Sequence, residues 1–189
     1  ITGTIPVANG GTGIASGTTG QFLKFTGTTT IASAADNGKI LQVVSSNNTY
    51  GMTTSSTSYI DVESSSGTTW EVAITPSATS SKILLMSTLS LTIAANAQAE
   101  GRGSMEIYEK VGSGSYSQMI DNNEAIGFYD YGSHGSWTSK TVSNSILRTK
   151  NTTSAVSYKF IFRVHNGSTS CYFNQDNRQS NCVLMEIAG

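Results

Sequence analysis

The segment IGFYDYGSHGSW, residues 126–137, holds aromatic residues among glycines and polar residues: Phe128, Tyr129, Tyr131 and Trp137. In an exposed connection these rings would bury little apolar area against their own neighbours. Aromatic side chains in such loops stack on sugar rings or anchor in protein pockets, because they offer a large contact area with few torsions to freeze. The pattern therefore predicts a binding surface or, with equal weight, rings that pack between subunits of an oligomer.

Polar side chains in and near this segment complete the candidate receptor-binding surface: Tyr116, Asp121, Asn122, Asn123, Asp130 and His134. Asp121, Glu124 and Asp130 also raise the possibility of a carboxylate pair that cleaves a polysaccharide. Nothing in their spacing fixes their geometry, so solvated loop acids are the favoured interpretation. The sequence has no nucleophile elbow, no phosphate-binding lysine motif and no paired-cysteine zinc motif. We predict no enzymatic activity and no cofactor.

The two histidines, His134 and His165, are too few for a metal site within one chain. On a three-fold axis, however, one residue supplies three ligands, and three imidazoles are a familiar zinc-binding set. His134 is the better candidate for such a position, although an exposed loop histidine is the favoured interpretation. We predict no metal.

The stretch SKILLMSTLSLTIAA, residues 81–95, is the clearest structural signal in the chain. From Ile83 onwards five large apolar residues fall on odd positions, whereas Thr88, Ser90 and Thr92 take the other face, which is the two-residue period of a strand. This pattern predicts a long antiparallel strand that turns the following residues into the core: Ile83, Leu85, Leu89, Leu91 and Ile93.

Eight strand candidates follow one another from Thr57 onwards, separated by turn signals. They are Tyr59–Val62, Trp70–Ile74, Ile83–Ile93, Met105–Val111, Val142–Leu147, Val156–Val164, Cys171–Phe173 and Cys182–Ile187. This number is typical of an all-β, antiparallel two-sheet sandwich of the jelly-roll kind. The interval 119–139 reads as a long exposed connection.

Residues 1–56 differ in character, because short apolar pieces alternate with Gly, Thr and Asn turns and no piece can form a core alone. Such a chain becomes ordered when several copies share a thin common core. We therefore predict a slender β-rich trimeric shaft over 1–56 and a sandwich domain over 57–189. Because the chain begins at Ile1, we also expect it to be the end of a longer protein.

Only 12% of the residues are charged, with 11 Lys and Arg against 12 Asp and Glu. A chain with this charge balance lacks the excess of basic residues that binds nucleic acids or anionic membranes. No apolar run approaches the roughly 20 residues that span a bilayer. We exclude nucleic acid and membrane insertion as partners.

Several pieces of the sequence, in this order, resemble bacteriophage tail-fibre proteins: GTIPVANGGTG (3–13), NGKILQVV (37–44), STSYIDV (56–62), ITPSATSSKILLM (74–86), SYKFIFRV (157–164) and LMEIAG (184–189). The resemblance implies a homotrimeric fibre end in the virion, joined to the rest of the fibre, whose distal sandwich binds a host surface glycan or outer-membrane protein. A polysaccharide depolymerase and a purely structural trimerisation module are the alternatives.

The two cysteines, Cys171 and Cys182, lie in the last two predicted strands. If a hairpin turns at Asp176 and Asn177, the two residues stand opposite each other, with Cβ atoms about 4.5 to 5.5 Å apart. That separation is longer than a relaxed disulfide prefers. A phage fibre folds in the reducing bacterial cytoplasm, so we predict two buried thiols.

Overall fold

The computed structural model describes residues 18, 21–25, 27–28, 31–34, 38–94, 101–119, 126–130, 137–165 and 170–189. These residues form strands, turns and one short 3-10 segment, Gln175–Asn177, with no α-helix among them. The strands are β1 (Phe22–Phe25), β2 (Ile31–Ala34), β3 (Ile40–Asn48), β4 (Met52–Thr54), β5 (Ile60–Asp61), β6 (Glu63–Ser65), β7 (Thr68–Thr69), β8 (Glu71–Ile74), β9 (Lys82–Ala94), β10 (Gly101–Val111), β11 (Ser117–Gln118), β12 (Ile126–Asp130), β13 (Trp137–Thr149), β14 (Val156–Val164), β15 (Ser170–Phe173) and β16 (Ser180–Ile187).

Two six-stranded antiparallel sheets make up the sandwich. One sheet has the order β3-β16-β9-β15-β4, with β13 on the other edge of β9. We call it the larger sheet because its strands contain more residues. The smaller sheet has the order β11-β10-β14-β5, with β12 also paired to β10 and β8 to β14. The hairpins β1-β2 and β6-β7 form separate two-stranded sheets. The predicted all-β sandwich is confirmed.

Strand β9 is the centre of the larger sheet. The five apolar residues predicted to face the core all have 0% exposure: Ile83, Leu85, Leu89, Leu91 and Ile93. Strand β14 covers them from the smaller sheet with its own alternating set: Tyr158, Phe160, Phe162 and Val164. The two-residue period thus fixes which side of each strand is buried.

Trp70 joins the two sheets across the core. Its ring stacks on Phe160 of the smaller sheet at 4.7 Å and lies 6.1 Å from Phe173 of the larger sheet. The indole N–H of Trp70 donates a 2.9 Å hydrogen bond to Ser46 Oγ on β3. A buried tryptophan needs such a partner for its polar atom, so this bond lets the ring fill the core without an unpaired donor.

Strands β3 and β4 fall within the segment predicted to be shaft, yet they belong to the larger sheet. Strand β3 pairs with β16 and strand β4 with β15. The sequence did not predict that β3 belongs to the sandwich, because β3 turns polar side chains inward. Each of them has a hydrogen-bond partner: Gln42, Ser46 and Asn48. The boundary at residue 56 remains a prediction, but residues 40–54 are part of the sandwich sheet.

The interval 119–139 is not wholly a connection, which corrects the prediction. Ile126–Asp130 forms β12 and pairs with β10, and Trp137 begins β13. The sequence of β12, IGFYD, shows no alternation of apolar and polar residues, so its pairing leaves no signal of period two. Residues 120–125 and 131–136 lie outside the described residues.

The predicted hairpin between the two cysteines is wrong. Strands β15 and β16 lie end to end along one edge of β9, so that Cys171 faces Ile93 and Cys182 faces Ser87. These partners are six positions apart on β9, a distance of about 20 Å. The residues predicted to turn the hairpin, Asp176 and Asn177, lie instead in the interruption 174–179 between two collinear strands. The prediction of two buried free thiols is confirmed.

Burial raises the pKa of each thiol to about 12. Because the thiolate is the reactive form, we expect neither cysteine of the native protein to react with a disulfide reagent at pH 8. Ellman's reagent should report both thiols only after unfolding in denaturant. Fast labelling of either thiol in the folded protein would contradict this burial.

Candidate functional site

The outer face of the larger sheet carries Trp137, one of the two rings of the predicted binding set whose side chains the structure describes. Trp137, at the start of β13, is 55% exposed. It pairs with Ala94 of β9, whereas Tyr172 of β15 pairs with Thr92 on the opposite edge of the same strand. Both rings therefore lie on the face away from the core.

The two rings stack above β9, with ring centroids 5.0 Å apart and planes inclined by 29°. Beneath them lies the hydroxyl of Thr92, which is 2% exposed and lies 2.8 Å from Ser139 Oγ. The strand register thus creates an aromatic surface from residues that lie far apart in sequence. We call Trp137 and Tyr172 the aromatic pair.

An open cleft of about 330 Å³ adjoins Tyr172 at the interruption between β15 and β16. Its lining combines aromatic and apolar side chains with hydroxyl and amide groups: Thr49, Gly51, Met52, Thr53, Tyr172, Phe173, Asn174, Gln175, Asp176 and Asn177. Asp176 is the sole carboxylate in this lining, so the cleft has no carboxylate pair for acid–base hydrolysis.

Three lining residues have left-handed backbone conformations: Asn174 (φ 51°), Asp176 (φ 57°) and Asn177 (φ 59°). Asn and Asp enter this region at less cost than other non-glycine residues, because their short side chains bond locally. Such conformations persist where the surrounding structure holds them, and they cluster at sites that hold ligands. These left-handed residues therefore interrupt the extended backbone and separate β15 from β16.

Asn174 holds this conformation from the inside. It is 1% exposed, and its Nδ2 donates to the carbonyl oxygens of Asn48 at 2.8 Å and Tyr50 at 3.4 Å. Its Oδ1 accepts a 2.7 Å hydrogen bond from Ser180 Oγ, which in turn accepts from the backbone N–H of Ser90. The network ties the cleft to strands β3, β9 and β16, which gives its floor a fixed shape.

The structure separates the other predicted site residues. Phe128, Tyr129 and Asp130 belong to β12, whose backbone pairs with β10 in the smaller sheet. The remaining members fall outside the described residues: Asp121, Asn122, Asn123, Tyr131 and His134. Their role in a receptor surface stays a prediction.

Tyr116 lies on the opposite outer face of the sandwich from Trp137. Its hydroxyl donates to Glu71, and the ammonium groups of Lys110 and Lys159 lie 4.6 and 4.7 Å from its ring centre. Burial, together with the neighbouring Glu71 carboxylate, raises the pKa of this phenol. Tyr116 is thus part of a charged cluster within the chain, and it does not join the aromatic pair.

Sequence reasoning found Trp137 but missed Tyr172 and the cleft. The sequence predicts a turn at Asp176 and Asn177, but it gives no sign of the buried Asn174, whose partner Asn48 lies 126 residues away. Tyr172 sits between Cys171 and Phe173, both at 0% exposure, so alternation alone already placed it on the outer face.

No protein-family model matches the sequence, and no curated protein matches it. Among solved structures, the fold is similar to that of the infectious bursal disease virus VP2 subviral particle, with 10% identity and a TM-score of 0.37 over 87% of this chain. The infectious bursal disease virus Gx strain matches with 13% identity and a TM-score of 0.36 over 85% of this chain. This chain spans 41% and 43% of the two neighbours.

Within the part of the chain that the structure describes, no helix is long and apolar enough to cross a membrane. The same residues contain no group of three or more His, Cys, Asp or Glu side chains that could hold a metal ion.

Proposed function

We propose that this chain is the distal tip of a bacteriophage tail fibre, that it acts as a homotrimer, and that it binds a glycan on the host surface without cleaving it. The observation that carries the binding role is the aromatic pair beside the polar cleft. The tail-fibre assignment and the trimer rest on the sequence pieces that resemble such proteins.

The chemistry of the cleft favours a glycan. Sugar rings present an apolar face, which stacks on aromatic rings, and a rim of hydroxyl groups, which pair with amide and hydroxyl side chains. The aromatic pair offers the first kind of contact, and the exposed side chains of Thr49, Thr53 and Asn177 line the cleft with the second. A volume of about 330 Å³ lies at the lower end of the range for small-ligand sites.

Replacing Tyr172 with alanine tests this role. We expect binding to host surface polysaccharide, measured by calorimetry, to weaken by about 2 kcal/mol, or about 30-fold, because a stacking anchor is lost. Trp137→Ala should have a similar effect. Tyr116→Ala is the matched control, since it removes the same ring from the opposite face and should leave binding unchanged.

The other outcomes identify the alternatives. Unchanged polysaccharide binding by the folded Tyr172→Ala and Trp137→Ala variants would refute the proposed site. Binding to outer-membrane protein in proteoliposomes, with none to polysaccharide, would point to a protein receptor instead. Shortened polysaccharide chains after incubation would point to a depolymerase. Failure of the isolated protein to block phage adsorption would leave a structural trimerisation module.

A further inference from the structure

A row of apolar side chains crosses four adjacent strands on the outer face of the larger sheet. The register places Leu147 of β13 opposite Leu84 of β9, Leu84 opposite Met185 of β16, and Met185 opposite Val43 of β3. We call these residues the apolar row. They span about 14 Å at the usual strand spacing.

The apolar row is exposed on the described part of the chain. Val43 is 54% and Leu147 is 53% exposed, and Leu84 and Met185 are half-buried. The neighbouring rows on either side each add a pair of apolar residues that lie opposite each other: Ile40 with Ile187, and Met86 with Val183. Exposed apolar surface of this continuity marks a contact site in a soluble protein.

Charge distinguishes this face from the other side of the sandwich. Among the described residues of the larger sheet that point outward, Lys82 is the one charged side chain. The smaller sheet instead carries charge pairs on its outer face, such as Lys159 with Asp61 at 2.7 Å and Lys110 with Glu71 at 3.1 Å. A face with a single charge at its end meets little repulsion from a copy of itself, whereas a charged partner would lose solvation there and gain few ion pairs.

The apolar surface continues past the sheet edge. Strand β3 ends the strand order, with a bulge where Leu41 has no partner on β16, and Leu41 is 42% exposed. The ammonium group of Lys39 lies 4.9 Å from the ring centre of Phe22, which places the β1-β2 hairpin beside this edge. Phe25 of the hairpin is 72% exposed. Exposed edges of this kind pair with another chain.

From this geometry we infer that the outer face of the larger sheet is where a second copy of this chain packs, with the apolar row at the centre of the contact. The inference deepens the homotrimer of the proposed function and rests on that proposal for the number of copies. The part of this face that leaves the aromatic pair free extends about 20 Å along β9, from Lys82 to Thr88, and is four strands wide. The β3 edge and the β1-β2 hairpin extend it towards the roughly 800 Å² per partner that stable interfaces bury.

The test introduces charge into the apolar row. The double variant Val43→Lys and Leu147→Lys changes two side chains that are already more than half exposed, so the fold should tolerate it. We expect the wild type to self-associate in sedimentation equilibrium, and the double variant to associate at least about 100-fold more weakly because like charges meet without partners. Val111→Lys, an exposed apolar position on the smaller sheet, should keep the wild-type mass.

Circular dichroism melts of all three proteins confirm that each is folded. A monomeric wild type at tens of micromolar, or a double variant that keeps the wild-type mass, would overturn the inference. Polysaccharide binding per folded chain is measured in parallel. If the double variant loses self-association but still binds polysaccharide, both proposals stand. If the wild type assembles but binds no polysaccharide, the proposed function alone is refuted.

Discussion

Replacing Asn174 with alanine should lower the free energy of unfolding by about 3 to 4 kcal/mol. The change removes the hydrogen bonds with Asn48 O, Tyr50 O and Ser180 Oγ, each worth about 1 kcal/mol net. It also leaves alanine in a left-handed conformation (φ 51°), which costs a further 1 kcal/mol or so. Urea denaturation followed by tryptophan fluorescence measures the loss.

The matched control is Asn177→Ala. Asn177 has almost the same backbone conformation (φ 59°), but its side chain is exposed. We expect a loss of about 1 kcal/mol, which is the conformational part alone. Equal losses in the two variants would show that the buried amide network does not stabilise the fold.

Replacing Glu186 with alanine should cost about 3 kcal/mol. This carboxylate is 1% exposed, and it accepts hydrogen bonds from the backbone N–H and hydroxyl of Ser77, both at 2.7 Å, and from Gln42 Nε2 at 2.8 Å. Truncation leaves these donors without their charged acceptor, and hydrogen bonds to charged groups are worth more than neutral ones. Denaturant midpoints at pH 7 measure the effect.

The same carboxylate should make stability depend on pH. Burial by itself would raise the pKa of Glu186, but hydrogen bonds, foremost that from Ser77, outweigh it and lower the pKa below the ordinary 4.5. A group with a lowered folded-state pKa contributes stability above its unfolded pKa, and this contribution is lost as the pH falls through the folded value.

The wild type should therefore lose stability below about pH 4.5 more steeply than Glu186→Gln, which keeps the shape of the side chain but cannot titrate. Unfolding curves of both proteins between pH 7 and pH 3 check this. Parallel pH profiles would mean that Glu186 does not contribute the expected linkage.

The sequence predicted those strands whose two sides differ in polarity. Strand β9 alternates almost perfectly between core and outer residues, and β14 runs from Val156 to Val164 as predicted. In both strands, burial of one apolar face against the other sheet is the main stabilising contribution. A sequence period of two shows directly which residues form that face.

The parts that failed depend on partners distant in sequence. Strand β3 buries Gln42 against Glu186, 144 residues away, so its inward face reads as polar until the partner is known. The turn at Asn174 has the composition of a hairpin, and only the pairing of both β15 and β16 with β9 shows that the chain continues in the same direction. Local propensity holds no information about either choice.

The candidate site likewise has one part that the sequence predicted and another that depends on partners distant in sequence. Trp137 was predicted from its aromatic neighbours in sequence, although its structural neighbour is Tyr172, 35 positions further along the chain. The cleft forms from residues 49–53 and 172–177, which only the β4-β15 pairing brings together. A surface built by strand register cannot be read from one segment.

The position of β16 between β3 and β9 determines when the larger sheet can close during synthesis. Strand β3 leaves the ribosome early, but residues 180–187 follow every other described strand. Across the 144 residues between Gln42 and Glu186, translation at 5–20 residues per second takes about 7 to 30 s. Throughout that time β3 lacks this partner, and the Lys82–Thr88 edge of β9 lacks it from the moment that β9 emerges. The nascent chain therefore holds two open strand edges, and the larger sheet closes only after β16 has emerged.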